Sequence, residues 1–305
     1  MLLLLVLIYR NEILEDLVNF GTTLPSCSAF LLNIFWGGGN IMRFIVFKRP
    51  SWRNVMLWAI LLFVVLAYRE NVISVFSSKL KPIYSAVVTT NEIGLTFDIS
   101  WGEKTAEPIL NILKEKGVKA TFFISSPWAS KHEDLVKRMV ADGHEIASHG
   151  NRHVDLNTLG PGEIEREITS AHAVLEELTG QNISLLRPPN GAYDNKLISV
   201  SARLGYQVIQ WSVDSLDWKR PGPEAVINNV LNGLPKGHGA GPGDIILFHA
   251  SDSAPDTIKA LPVVIDRLQS KNYQLIPVGQ LLKSATETWP PESNLPPLEK
   301  PAATP

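Results

Sequence analysis

Between about residue 91 and residue 284, short apolar runs of β-strand character alternate with amphipathic helical stretches. Seven runs read as strands: 92–97, 118–124, 144–148, 183–186, 206–212, 244–248 and 273–276. They are too apolar to alternate cleanly, as expected of parallel strands covered on both faces. Gly117, Gly143, Gly180 and Gly205 each follow a helical stretch, where glycine reaches the left-handed conformation without a Cβ clash. The helices repeat apolar residues at spacings of three and four, as in Ile164, Ile168, Ala171, Leu175 and Leu178. This alternation with short links predicts a parallel α/β sheet.

Polar residues stand at the ends of these runs. They are Asp98, His149, Arg187, Asp214 with Asp217, and His249. Side chains that leave one end of several parallel strands converge in space, which is how a (β/α) barrel assembles a site at its carboxyl face. The pattern therefore predicts an enzyme-like pocket.

Each landmark has a structural and a chemical reading. His149 and His153 lie four residues apart, a spacing that on a helical turn points both imidazoles at one metal ion; surface pairs at this spacing are also common. Asp98 closes a hydrophobic strand and needs a partner there. Arg187 can supply it, either as a bridge that closes the barrel mouth or as the group that orients a reactive carboxylate. His249 is either a core histidine or a general acid with a pKa near neutrality. Asp217, beside Trp218, can tune it, and Asp214 serves equally well as a loop cap. The glycine-rich stretch 237–243 is not a phosphate loop, because it precedes a strand and no Gly-Lys-Ser/Thr follows; His238 within it should face solvent.

The net charge of −2 provides no basic field for nucleic acid. The single cysteine, Cys27, excludes an intramolecular disulfide and a cysteine-based zinc site. Val55 to Tyr68 is an unbroken apolar run preceded by Arg43, Lys48, Arg49 and Arg53. This is the pattern of a signal anchor or signal peptide with its N-terminus in the cytoplasm. Trp36 and the three glycines after it require a G-rich codon run shortly before Met42, so residues 1–41 read as upstream sequence preceding the true start. The expected organisation is then an upstream extension (1–41), a basic cytoplasmic segment (42–54), a hydrophobic segment (55–68), a linker (69–88), a catalytic domain (89–284) and a Pro-rich disordered tail (285–305). The expected location is the cell membrane with the catalytic domain outside, or secretion if the signal is cleaved.

Five ordered motifs resemble those of the polysaccharide deacetylase family with the NodB-homology domain, carbohydrate esterase family four. They are Thr96-Phe-Asp-Ile99, Ser148 to His153, Arg187-Pro-Pro-Asn-Gly191, Asp214 to Trp218, and Leu247-Phe-His249. The string from Phe97 to Gly102, with the preceding anchor, looks most like the sporulation-associated PdaB-type members. The resemblance implies a distorted (β/α)7 barrel and metal-assisted hydrolysis of N-acetyl groups on amino sugars. It makes His149 and His153 ligands of a divalent metal, zinc or cobalt. It makes Asp98 the base, Arg187 its holder, His249 the acid and Asp217 the group that sets the acid's pKa. Trp218 and Leu247 become the walls of the acetyl pocket, and a cell-wall glycan the substrate.

Two positions depart from the family pattern. Ile99 stands where the family has a second, metal-binding aspartate, which leaves two histidines and predicts weak metal binding. Asn190 replaces a common aromatic. A catalytically weak or dead member that binds glycan is therefore the rival expectation, and a hydrolase of another amide or cyclic imide is a third.

Overall fold

The computed structural model describes residues 52–60 and 79–289. These fall in two units, divided after Ser77. In the first, residues 52–60 form helix α1, with Trp52, Met56, Leu57 and Trp58 exposed. Among the described residues no helix is long and apolar enough to cross a membrane. The expected hydrophobic segment 55–68 lies partly outside the described residues, and the Met42 start, the 1–41 extension and the tail beyond 289 lie wholly outside them.

The second unit is an α/β fold. Its strands are β1 (Ser85–Val87), β2 (Glu92–Ile99), β3 (Thr121–Ile124), β4 (Glu145–Ser148), β5 (Leu185–Leu186), β6 (Gln207–Val208), β7 (Val213–Asp214), β8 (Ile245–His249), β9 (Gln274–Ile276) and β10 (Glu287–Trp289). Its helices are α2 (Ala106–Glu115), α3 (Ser126–Lys131), α4 (Glu133–Ala141), α5 (Pro161–Thr179), α6 (Asn195–Arg203), α7 (Pro223–Asn232), α8 (Thr257–Ser270) and α9 (Val278–Ser284). Strands β2 to β9 form a curled parallel sheet, a half-barrel, in the order β6-β5-β4-β3-β2-β8-β7, with β9 paired to the start of β2.

The two faces of the sheet carry different chemistry because strand side chains alternate. On β2, Ile93, Leu95, Phe97 and Ile99 join the apolar cluster under α2, α5 and α8. Phe97 stands in register with Phe122 and Phe248 and stacks on both, at 5.2 and 5.8 Å between centroids. The alternate residues Thr96 and Asp98 meet Arg187 on the other face.

Three expectations need correction. The run 206–212 is not one strand. Gln207–Val208 pairs with β5 and Val213–Asp214 pairs with β8, so this single stretch leaves one edge of the sheet and joins the other. Its middle is held by Ile83, which donates to Val208 O and accepts from Gln210 N at 2.8 and 2.7 Å. Ile83 is fully buried, so the end of the expected 69–88 linker belongs to the domain. The expected tail also starts too early, since Glu287–Trp289 pairs antiparallel with Ser85–Val87 and Thr288 is buried. These two strands come from opposite ends of the described domain, so neither run shows its partner locally.

Candidate active site

All the predicted strand-end residues gather at the carboxyl ends of the strands. A cavity of about 360 Å³ there is lined by Asp98, Ile99, Trp101, His149, His153, Asn190, Trp211, Asp214, Trp218, Leu247 and His249, among others. Arg187 and Asp217 lie fully buried behind it.

Asp98 is the penultimate residue of β2 rather than the one after it, because the strand continues to Ile99. Its Oδ1 accepts from Arg187 Nη1 at 2.7 Å. The same nitrogen donates to Thr96 Oγ1 at 2.8 Å, and Nη2 donates to the Gln210 carbonyl at 3.0 Å. Phe123 lies under the guanidinium at 4.1 Å. A buried cation is tolerated only with such partners. Burial works to raise the Asp98 pKa, but the charge of Arg187, with His149 and His249 behind it, outweighs burial and holds the carboxyl below its usual range.

His249 ends β8 directly opposite Asp98. Its Nδ1 lies 2.7 Å from Asp217 Oδ1, and its backbone N–H donates to Asp217 Oδ2 at 2.8 Å. Thr257 Oγ1 adds a bond to the same oxygen at 2.6 Å. With Nδ1 facing the carboxylate, Nε2 is the nitrogen left toward the cavity. Burial alone would lower the His249 pKa. The hydrogen bond and charge of Asp217, with Asp98 and Asp214, reverse this and raise it above the ordinary value. Asp214 accepts from Leu216 N at 2.8 Å, which makes it a turn cap that also faces the cavity.

His149 and His153 are brought together, with ring centroids 5.1 Å apart, but not on a helical turn. The stretch between them bends without helical structure, with Gly150 at φ 77° and His153 at φ 51°. Spacing alone suggested a helix; the left-handed backbone at these two residues delivers the same proximity by a loop. His149 Nδ1 faces the Arg187 carbonyl at 2.8 Å, which leaves Nε2 unprotonated and 3.8 Å from Asp98 Oδ2. Burial pushes the His149 pKa down to about 4.

These residues do not complete a metal site of the kind catalytic zinc uses, with three protein ligands and an open position. Two imidazoles are suitably oriented donors. Asp98 is committed to Arg187, and Ile99 at the cavity wall offers no donor. Asp155 is not among the residues that line the cavity, and its Oδ1 accepts from Asn190 Nδ2 at 2.7 Å. Among the described residues, no group of three or more His, Cys, Asp or Glu side chains is arranged to hold a metal.

Sequence reasoning missed several supports. Buried Glu167 on α5 accepts from Arg152 N at 2.9 Å and from Arg152 Nε, and so grips the loop between the two histidines. Thr96 and Gln210 add bonds to the two terminal nitrogens of Arg187, whose buried Nε has no partner among the described residues, and Thr257 adds one to Asp217. Trp101 packs edge-on against His153 at 4.9 Å. A buried acid within an amphipathic helix is the one local signal among these, at Glu167 beside Ile164 and Ile168.

Residues 86–209 match the family model described as polysaccharide deacetylase. A chitooligosaccharide deacetylase of Bradyrhizobium sp. (strain ANU 289) is 31% identical over 211 residues, which cover 65% of this chain and 94% of that protein. A peptidoglycan-N-acetylglucosamine deacetylase of Bacillus cereus is 29% identical over 206 residues, 67% of this chain and 73% of the relative. An uncharacterized protein, YlxY of Bacillus subtilis, is 29% identical over 202 residues, and the chain spans 60% of its length. Among solved structures, wild-type BA3943 of Bacillus anthracis, described as a CE4 family pseudoenzyme, has 29% identity and a TM-score of 0.61, over 68% of this chain and 71% of that one. A mutant of BA3943 described as having restored enzymatic activity has 31% identity and the same TM-score of 0.61, over 67% of this chain and 72% of that one.

Proposed function

We propose a function from one premise: the chain belongs to the polysaccharide deacetylase family. It is an N-deacetylase of amino-sugar polymers, with peptidoglycan as the substrate, and its turnover is held low by an incomplete metal donor set. The observation that carries this reading is that Asp98 and His249 stand in register on adjacent strands of one cavity, each backed by a fully buried partner, Arg187 or Asp217.

The chemistry of each dyad follows from its partner. Arg187 keeps Asp98 ionised at neutral pH, at some expense in basicity, and fixes one of its oxygens. The other oxygen takes a proton from the attacking water. Asp217 holds His249 in the tautomer that presents Nε2 and favours its protonated form. That proton goes to the departing amine of the sugar. Such acid–base work contributes roughly 10²–10⁴-fold. Trp218 and Leu247 enclose the acetyl methyl. Enzymes of this family are generally metal-dependent, and a bound divalent metal polarises the acyl oxygen. His149 and His153 are the donors this chain would offer such a metal.

The chain works outside the cytoplasm, anchored by the 55–68 segment, with the basic residues before Val55 as the support for that orientation. A role in spore wall maturation fits the Phe97-to-Gly102 string. A second reading, a glycan-binding factor without turnover, is favoured by Ile99 and by the similarity to a protein described as a pseudoenzyme. Acetate release from purified peptidoglycan decides between them. Slow release that His249→Ala abolishes supports hydrolysis. Glycan binding with no release at any zinc or cobalt concentration supports the second reading.

A further inference from the structure

Between residues 79 and 289, three large apolar side chains are exposed among those described: Val87, Trp101 at 47% and Trp218 at 49%. The two tryptophans line the same cavity. Trp101 follows β2 and Trp218 follows β7, the two strands that flank β8. They therefore stand on the two sides of the loop that leaves β8.

That loop brackets both. Asp252 Oδ1 accepts from Lys104 N, Thr105 N and Thr105 Oγ1 at 2.9–3.1 Å, and Oδ2 accepts from Glu103 N at 3.1 Å. The Trp101 loop is thus tied to one carboxylate, and Trp128 Nε1 secures it further by donating to Gly102 O at 2.8 Å. Gly102 has φ +94°, and a Cβ there would lie 2.5 Å from Asp252 Cγ. On the other side, Arg220 donates to the carbonyls of Ser253 and Asp252 at 3.0 and 3.2 Å, which anchors the turn carrying Trp218. Rings held this firmly and left open to water cost stability unless a ligand covers them, and their rigidity lowers the entropy lost on binding.

The cavity between the rings is of mixed character: Trp211 and Leu247 add apolar wall, and Asn190, Asp214, Ser251 and Ser253 set polar groups among it. An apolar peptide or lipid would desolvate these groups without pairing them. A pyranose ring suits both features, with C–H faces that lie on an indole and a hydroxyl rim that meets the polar wall. We propose that Trp101 is a sugar-stacking platform at the rim of the pocket, that it and Trp218 seat separate residues of one glycan chain, and that the Asp252 carboxylate positions Trp101. The proposal rests on the glycan reading above and adds which side chain seats a second sugar and what holds that side chain.

The test is calorimetric titration of the full chain with N-acetylglucosamine oligomers of one to six units. Affinity should climb with length. Trp101→Ala should cut affinity for the longer oligomers about tenfold and that for the monomer much less, and Trp101→Phe should restore most of the loss. Asp252→Asn, which keeps both indoles but weakens the hold on the Trp101 loop, should flatten the length dependence in the same way, and it carries the test if Trp101→Ala fails to fold. Wild-type length dependence in these variants overturns the platform while leaving glycan binding intact. Failure of the unmodified chain to bind any oligomer overturns the glycan reading itself, and the platform with it.

Discussion

Asp98 and His249 stand opposite each other in register on parallel neighbours β2 and β8, and each is held from behind by its own buried partner, Arg187 or Asp217. Two ionisable groups are thereby pushed in opposite protonation directions within one cavity, the arrangement that acid–base chemistry at neutral pH requires.

The first consequence concerns pH. Asp217 is the chief reason the His249 pKa lies above its ordinary value. An acid must carry its proton, so acetate release should fall as pH rises through that raised pKa. Asp217→Asn removes the charge, so the His249 pKa drops and the fall moves to lower pH. Activity at pH 8 should decline about 10²-fold. An imidazole titration by NMR checks the shift independently of turnover; an unmoved His249 pKa would show that Asp217 serves packing alone.

Ile99→Asp should complete the donor set. The unmodified chain should bind zinc weakly, and the variant at least ~10–100-fold more tightly. Without zinc the variant should melt lower, because a carboxylate replaces an apolar side chain that is 1% exposed. Zinc should reverse that loss. Tight stoichiometric binding by the unmodified chain would refute the two-donor description. No gain in the variant would mean that position 99 serves the helix-side cluster rather than the cavity.

Arg187→Met should destabilise the domain by roughly 3–5 kcal/mol, because it leaves Asp98 buried without its counter-charge. Arg187→Lys should rescue only part. A single ammonium cannot reproduce the planar fork that reaches Thr96, Asp98 and the Gln210 carbonyl together. Urea unfolding of both variants provides the measurement. A midpoint within error of the parent's would remove Arg187 from the fold's support.

His144 offers a stability test away from the chemistry. It is 2% exposed, its Nδ1 accepts from Ala120 N at 3.2 Å, and its Nε2 has no partner. Burial, helped by Lys119, lowers its pKa from 6.5 to about 4. Below pH 6.5 the unfolded chain takes up a proton that the folded chain refuses. Stability should therefore fall between pH 6.5 and 4 and level off below. The loss is about 3 kcal/mol for this residue, and His149 adds a similar term in the same window. His144→Gln should remove roughly half of the decline in unfolding free energy; an unchanged slope would contradict the assignment.

Most of the fold and the reactive residues were legible because a parallel strand announces itself by an apolar run, and the polar residue that ends the run falls at the mouth of the sheet. Asp98, His149, Arg187 and His249 follow that logic. What was hidden depends on partners distant in sequence. Nothing near Gln207 or Val213 says that the chain changes partner strands between them. Glu167, Trp101 and Asp252 act through loops they meet only after folding. The spacing of His149 and His153 was read as helical because sequence does not display the backbone dihedrals of Gly150 and His153.

One guanidinium serves both shape and chemistry. Arg187 reaches the Asp98 carboxylate with one nitrogen and the crossing segment at Gln210 with the other. A change at this residue therefore disturbs the acid–base pair and loosens the barrel together. Position 99 touches no such joint. Loss of a donor there leaves the hydrogen-bonded frame around Arg187 intact, so chemistry is separable from folding at Ile99 and inseparable from it at Arg187.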